Sequence, residues 1–172
     1  MTIDILFILK DLSIAFVIGS GWAYFFGSDK RAIPVAGLLG GIGHCIASVL
    51  CQSGVSLIFS TLTGCLFIGI AGIYAAHIVH TPPVVFTMPA CITMIPGKYA
   101  YRTLLGCIKL TDADYVATHP YALNEIAHNF ILTVTLLFTL AIGVSVGVLL
   151  FKSKSIKDLK IKKSFLKKIL MR

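Results

Sequence analysis

The sequence contains few charged residues, and this scarcity limits what the protein can be. Only 13% of its 172 residues are Asp, Glu, Lys or Arg, about half the share in an ordinary soluble domain, whereas 57% are hydrophobic. A single core of this size cannot bury so much apolar surface. The composition therefore excludes a water-soluble enzyme domain, a nucleic-acid-binding module and a disordered tail. It predicts a polytopic membrane protein whose excess apolar surface contacts lipid.

Sequence signatures of catalysis and of metal binding are also missing. No HExxH or glycine-rich phosphate loop occurs, and no pair of carboxylates falls near the middle of an apolar stretch. The five cysteines form no CxxC pair and are expected to be small buried thiols. His77 and His80 alone are a weak signal for a metal. We therefore expect no enzymatic activity, no cofactor and no metal site.

The net charge of +8 is concentrated at one end of the chain. Residues 152–172 hold nine basic residues and one acid, while residues 1–151 hold six of each sign. This distribution argues against a nucleic-acid partner. In the tail, Ile156, Leu159, Leu166 and Leu170 could share one helical face, which would let the tail lie on anionic lipid. A solvated tail that only sets topology is the alternative.

Five apolar stretches are long enough to cross a membrane, because about 20 helical residues at 1.5 Å each span ~30 Å of hydrocarbon. They predict an all-α fold, a polytopic bundle of about five transmembrane helices in a transmembrane domain of residues 1–151, followed by the tail. The first stretch lacks a basic n-region and a cleavage site, which favours a retained span over a signal peptide. A four-span version, with 32–51 only partly inserted, is the alternative. The predicted spans are 5–26, 32–51, 55–76, 84–105 and 126–151, and Pro89 and Pro96-Gly97 interrupt the fourth.

Basic residues near the span ends predict the orientation. Lys30 and Arg31 follow the first span and the tail follows the fifth, so an even number of spans separates the two basic clusters. Both clusters, and with them the C-terminus, are expected on the cytoplasmic side. The N-terminus and the acidic 109–125 loop are then expected outside.

His44 and the Pro96-Gly97 pair stand at the same predicted depth. Each lies about 12 residues into its span, which at 1.5 Å per residue is ~18 Å from the cytoplasmic edge and close to the midplane. Proline removes a helix hydrogen bond and glycine permits unusual dihedral angles, so we expect a break of the kind that presents half-helix ends to substrate in many transporters. A packing kink is the alternative. His44 could exchange protons near neutral pH, or it could be a hydrogen-bonded interior histidine.

Two cations follow the predicted break. Lys98 and Arg102 are four residues apart and share one helical face. Together with a new helix N-terminus they would suit a carboxylate. The alternative is that they pair with acids or reach the outer surface.

Two other polar groups occur in the apolar stretches. Glu125, His128 and Asn129 form a polar strip at the start of the last span, which is either a transport gate or an interfacial helix start. Lys10 and Asp11 interrupt the first span. We favour a self-neutralising pair over an inward-facing Asp11.

Glycines recur at a spacing of four in two of the spans. This spacing lets helix backbones approach closely in lipid, either within the chain or against a partner. The predicted packing positions are Gly37, Gly41, Gly143 and Gly147.

Five short segments of the spans form a combined pattern: Leu38-Leu39-Gly40-Gly41-Ile42-Gly43-His44, Val85-Phe86-Thr87, Ile95-Pro96-Gly97 with Tyr101, Asn129-Phe130, and Ala141-Ile142-Gly143. The pattern resembles the threonine/serine exporter family (ThrE-like), and in particular the small, YjjB-like membrane subunit of its two-subunit version. The resemblance covers roughly residues 10–151 and leaves the tail out. Members often show Pro-x-x-Pro-Gly where this chain begins with Thr93, which shifts the expected start of the break.

The resemblance implies an inner-membrane secondary exporter of threonine and serine, or of succinate in split pairs, driven by the proton gradient. It also implies a larger polytopic partner subunit, the YjjP-like half. A non-transporting membrane scaffold or assembly subunit is the alternative function. The pathway positions that the resemblance carries over are His44, Pro96, Gly97, Tyr101 and Asn129, and charge and depth add Lys98 and Arg102.

Overall fold

The computed structural model describes the backbone of residues 5–170, together with the side chains of residues 6–146 and of Leu149. Every regular element in this part of the chain is a helix, as the all-α prediction requires. The helices are α1 (Ile5–Phe25), α2 (Ala32–Gln52), α3 (Leu57–Val79), α4 (Val84–Ile92), α5 (Gly97–Lys109), α6 (Ala113–Thr118) and α7 (Ala122–Leu170).

Four of the helical segments are long and apolar enough to cross a membrane, which makes this a multi-pass membrane protein. The helix that the four-span alternative treated as only partly inserted, α2, is one of them. The predicted span 84–105 is instead divided between α4 and α5. Their 9 and 13 residues measure about 14 and about 20 Å, too little to cross ~30 Å of hydrocarbon singly. The candidate spans are Leu6–Phe25, Ala32–Gln52, Leu57–Val79 and Ala122–Val146.

The chain leaves helical geometry between α4 and α5. Thr93 follows the last residue of α4, and Pro96, with ψ of 57°, is the N-cap of α5. Proline lacks the N–H that would continue the ladder of α4, and it disfavours helical geometry in the residue before it. Gly97 has no positive φ, so unusual glycine dihedrals do not contribute as expected. Pro89 was also expected to interrupt the span, but it lies inside α4, where burial of its ring offsets one missing hydrogen bond.

Close approach of α1 and α2 depends on glycine. A Cβ on Gly37 would lie 2.8 Å from the carbonyl oxygen of Phe16, and one on Gly41 would lie 3.1 Å from that of Leu12. A side chain on Gly37 would push α1 away, and one on Gly41 would require the Leu12 carbonyl to move by a few tenths of an ångström. Gly37 and Gly41 therefore set the distance between α1 and the part of α2 that follows them.

α7 packs against α3 through another glycine. A Cβ on Gly143 would lie 2.5 Å from the Cβ of Cys65, which is fully buried. Gly147 lies outside the described side chains. The buried hydrophobic core that these contacts surround consists of Ala32, Leu39, Ala47, Cys65, Ile68, Phe86, Ala90, Met94 and Leu140.

α5 and the first half of α7 form a helical hairpin that extends beyond the start of α3. α3 and α7 run parallel, since Gly143 faces Cys65 while Leu136 shares a cavity lining with Leu57, the first residue of α3. The part of α7 before Leu136 therefore continues past α3 by ~20 Å at 1.5 Å per residue. α5 packs along this extension.

The basic tail continues the same helix, because α7 runs without interruption to Leu170. The predicted boundary after residue 151 thus falls inside a helix. The shared apolar face predicted for Ile156, Leu159, Leu166 and Leu170 lies outside the described side chains.

Candidate functional site

A small cavity lies where α2, α3, the α4–α5 connection and α7 meet. Its volume is about 200 Å³, and both His44 and Pro96 line it. The sequence predicts the same depth for His44 and Pro96, and in the structure both line one cavity. The polar side chains of the lining are His44, Ser48, Ser60, Thr61 and Tyr99, together with the thiol of Cys51.

Asp11 of α1 contacts two residues of α2. His44 Nε2 lies 3.3 Å from Asp11 Oδ1, and the Ser48 hydroxyl donates a 2.5 Å hydrogen bond to Asp11 Oδ2. The side chains of His44 and Asp11 are only 30% and 21% exposed. We call these three residues the Asp11 cluster.

The prediction of a self-neutralising Lys10–Asp11 pair is wrong. Lys10 is exposed, while the Asp11 carboxylate crosses to α2. The sequence did contain a signal for this contact. Asp11 stands 14 residues before the last residue of α1 and His44 stands 12 residues after the first residue of α2, so a tight helical hairpin brings them to one level.

One ring nitrogen of His44 has no partner. Nδ1 is buried and makes no hydrogen bond to the described residues. A buried polar atom in this condition costs about 1–3 kcal/mol of stability. When a neutral imidazole donates its Nε2 hydrogen to Asp11, Nδ1 is left with a lone pair that can accept a proton.

A second cavity, of about 240 Å³, lies inside the α5–α7 hairpin. Arg102 and Lys109 of α5 face Glu125 and Asn129 of α7 across it, so it contains cationic, anionic and amide groups. Asn129 is 5% exposed, and its amide donates to the carbonyl oxygen of Glu125 at 2.9 Å. This arrangement can hold a ligand that carries charges of both signs.

The short helix α6 contributes one residue to the lining of this second cavity. Asp112 caps α6 by accepting a hydrogen bond from the Asp114 N–H at 3.0 Å. Tyr115 of α6 also lines the cavity, and the Lys109 ammonium lies 5.5 Å from its ring centroid, within range of a cation–π contact. The polar loop that precedes α7 therefore folds back over the charged groups.

The predicted site residues fall into three groups. His44 and Pro96 line the first cavity, and Arg102 and Asn129 line the second. Three others are exposed and line neither of these cavities: Gly97, Lys98 and Tyr101. His128, the middle residue of the predicted polar strip, is exposed as well. Sequence reasoning missed Ser48, Lys109 and the hydroxyl groups of the first cavity, and it considered an inward-facing Asp11 without favouring it.

The cysteines are all free thiols. Cys65 is buried, but Cys51 and Cys107 are exposed, so the expectation of buried thiols is wrong for those two. Within the described part of the chain, no three His, Cys, Asp or Glu side chains are grouped so that they could hold a metal ion.

A family model described as Threonine/Serine exporter, ThrE, matches residues 11–150. The chain belongs to the threonine/serine exporter family. The matched region includes both cavities and the whole Asp11 cluster, and it leaves out the basic tail. No solved structure matches this exporter-family chain.

Proposed function

We propose that this exporter-family chain is the membrane subunit of a two-component secondary exporter of small carboxylate metabolites, namely threonine and serine or succinate. A larger polytopic subunit would supply the other half of the pathway. Export would be coupled to the entry of protons through His44. Membership of the family and the apolar helices support a transport role in a membrane.

The observation that carries this proposal is the cavity that His44 shares with Pro96. A volume of about 200 Å³ is below the range of about 300–1,000 Å³ that holds drug-sized ligands, so the cavity suits a small metabolite. Its hydroxyl groups can hydrogen-bond a polar solute among otherwise apolar walls. The non-helical stretch before α5 forms one wall, which agrees with the rule that irregular backbone at membrane depth lines a cavity.

The second cavity would be the outer entrance of the same pathway. α5 connects the two, with Pro96 at its first turn and Arg102 farther along. Arg102 and Lys109 would attract the substrate carboxylate, and Glu125 would attract an ammonium group if the substrate has one. In the orientation predicted from the basic residues, this entrance faces outside and the C-terminal tail lies on anionic lipid of the cytoplasmic leaflet.

The partner subunit would cover the free side of α5. Tyr101, Leu104 and Ile108 are each about two thirds exposed (65%, 67% and 67%), while α5 packs mainly against α7. Such an apolar face needs lipid or protein against it. The complementary half of an exporter would provide that protein.

Efflux from membrane vesicles that contain both subunits tests the proposal. Labelled threonine and labelled succinate would be offered in parallel, with and without this chain. His44→Ala is expected to reduce transport strongly, while His77→Ala, at an exposed position near the end of α3, serves as the matched control. If the chain has no effect on the efflux of either compound, the exporter assignment fails and a scaffold role is favoured.

A further inference from the structure

The Asp11 cluster combines an acid, a base and a hydroxyl within the membrane-spanning part of the bundle. We propose that the Asp11–His44 pair is the proton-carrying site of the exporter, with Ser48 holding the carboxylate in place. This inference rests on the proposed function and makes it more specific, because it adds Asp11, which no motif or resemblance assigns.

The first argument is the cost of charge at membrane depth. An isolated carboxylate near the middle of a helix costs about 2.5–3.5 kcal/mol on insertion scales, so it is expected to face a partner or a watery path. Asp11 has both, since it contacts His44 and Ser48, and these two residues line the first cavity. Simple helix packing does not require an acid here, because the glycine stripe already holds α1 against α2.

The second argument is the unpartnered Nδ1 of His44. With Nε2–H directed at Asp11, a hydronium ion can give a proton to the Nδ1 lone pair, so that one O–H bond breaks, one N–H bond forms and a water molecule is left. The product is an imidazolium beside a carboxylate, with no net charge. Release of the same proton restores a pair with a charge of −1. The two states therefore differ by one proton and one unit of charge.

Few other ionisable groups surround this pair. α2 itself supplies Cys45 and Cys51, and the start of α5 supplies the Tyr99 phenol. α3 and α7 contribute hydroxyl and apolar groups to the cavity. Among the described residues, Asp11 is the carboxylate that His44 contacts, so it is the counter-ion available to a protonated His44.

The coupling of proton entry to substrate exit follows from the net charge of the Asp11–His44 pair, because a neutral pair moves through the low-dielectric interior of the membrane more easily than a charged one. A pair that holds a proton is neutral and can change its exposure from one side of the membrane to the other without substrate. A pair without a proton is anionic, so its movement is favoured when the ammonium group of threonine or serine occupies the cavity beside it. Succinate has no ammonium group and would not be coupled in this way. Proton entry and substrate exit would then alternate, one proton for each substrate molecule.

Two transport assays in inverted vesicles separate coupling from transport itself. One measures accumulation of labelled threonine driven by an imposed pH gradient, and the other measures exchange of labelled for unlabelled threonine at equal pH. Asp11→Asn keeps the shape of the side chain but cannot neutralise an imidazolium. It should lower gradient-driven accumulation by about tenfold or more and exchange by a much smaller factor. Lys10→Gln, a change of charge at the exposed neighbouring residue, should alter neither.

Equal loss in both assays with Asp11→Asn would mean that Asp11 only supports the structure, and no loss in either would mean that it plays no part. Both results overturn the proposal. Ser48→Ala provides a second variant. It removes one hydrogen bond to the carboxylate, and it should weaken gradient-driven accumulation by a few-fold and exchange by a smaller factor.

An infrared measurement tests the Asp11–His44 pair without a transport assay. The protein in lipid nanodiscs is titrated, and the carboxyl band lost in Asp11→Asn is assigned to Asp11. This band should respond to pH differently in His44→Gln but not in His77→Gln. An unchanged response in His44→Gln overturns the pair. If vesicles transport neither threonine nor succinate but the band responds as expected, the exporter assignment fails while the proton-binding pair stands.

Discussion

Gly64 of α3 and Gly43 of α2 meet backbone to backbone, so closely that a Cβ on Gly64 would lie 2.6 Å from the Gly43 carbonyl oxygen. No side chain can enter this contact without separating the helices. Gly64→Val should therefore lower the free energy of unfolding by about 1–3 kcal/mol, the usual cost of overpacking. The measurement is the melting temperature of the purified protein in detergent.

Gly21→Val is the matched control for this change. Gly21 lies on α1, and a Cβ there meets nothing within 4 Å, so the same substitution should leave the melting temperature nearly unchanged. Equal effects of the two variants would show that intrinsic helix propensity, and not the α2–α3 contact, determines the result.

Thr87 offers the opposite case, a buried hydroxyl whose removal should be harmless. Its side chain is 1% exposed, and Oγ1 has no hydrogen-bond partner among the described residues. Thr87→Val keeps the shape and removes the unsatisfied group, so the melting temperature should stay the same or rise. Thr103→Val is the comparison, because the Thr103 hydroxyl donates to the Tyr99 carbonyl oxygen at 2.9 Å. A clear loss of stability in Thr87→Val would contradict this reading.

The two cations of α5 should contribute unequally to transport. Arg102 lines the second cavity, while Lys98 is exposed and lines neither cavity. Arg102→Gln removes a charged partner for a substrate carboxylate, an interaction of about 1.5–3 kcal/mol, and it should raise the KM for threonine about tenfold. Lys98→Gln should leave the KM close to the unmodified value. A larger effect of Lys98→Gln would place the carboxylate site elsewhere.

Pro96 and Gly97 are adjacent but should tolerate substitution differently. Pro96 lines the first cavity and lacks the N–H that would extend α4, so Pro96→Ala permits helix to grow into the connection and should slow threonine exchange in vesicles. A Cβ on Gly97 would meet nothing within 4 Å, and Gly97 has no positive φ, so the Gly97→Ala variant should exchange threonine at the normal rate. If Gly97→Ala is the slower variant, the break depends on glycine after all.

The different roles of Pro96 and Gly97 illustrate what could and could not be predicted from the sequence. A proline within an apolar stretch predicts a helix break from covalent chemistry alone, because the missing N–H is a local property. Whether the following glycine has an unusual dihedral angle depends on the path of the chain through its neighbours. The same limit applies to Pro89, whose burial inside α4 depends on the helices around it.

The sequence by itself determined that this protein lies in a lipid membrane, that its fold is helical and to which family it belongs. Apolar composition and span length are sums over residues, and the Gly-x-Gly-His and Pro-Gly segments are each continuous in the chain. All of these features can therefore be read without knowledge of the tertiary structure. Tertiary structure alone decided that Asp11 contacts His44 and not Lys10, and that Arg102 and His44 line different cavities. Those pairings depend on how closely glycine lets helices approach and on where α5 turns away from the bundle, and both are properties of packed surfaces rather than of neighbouring residues.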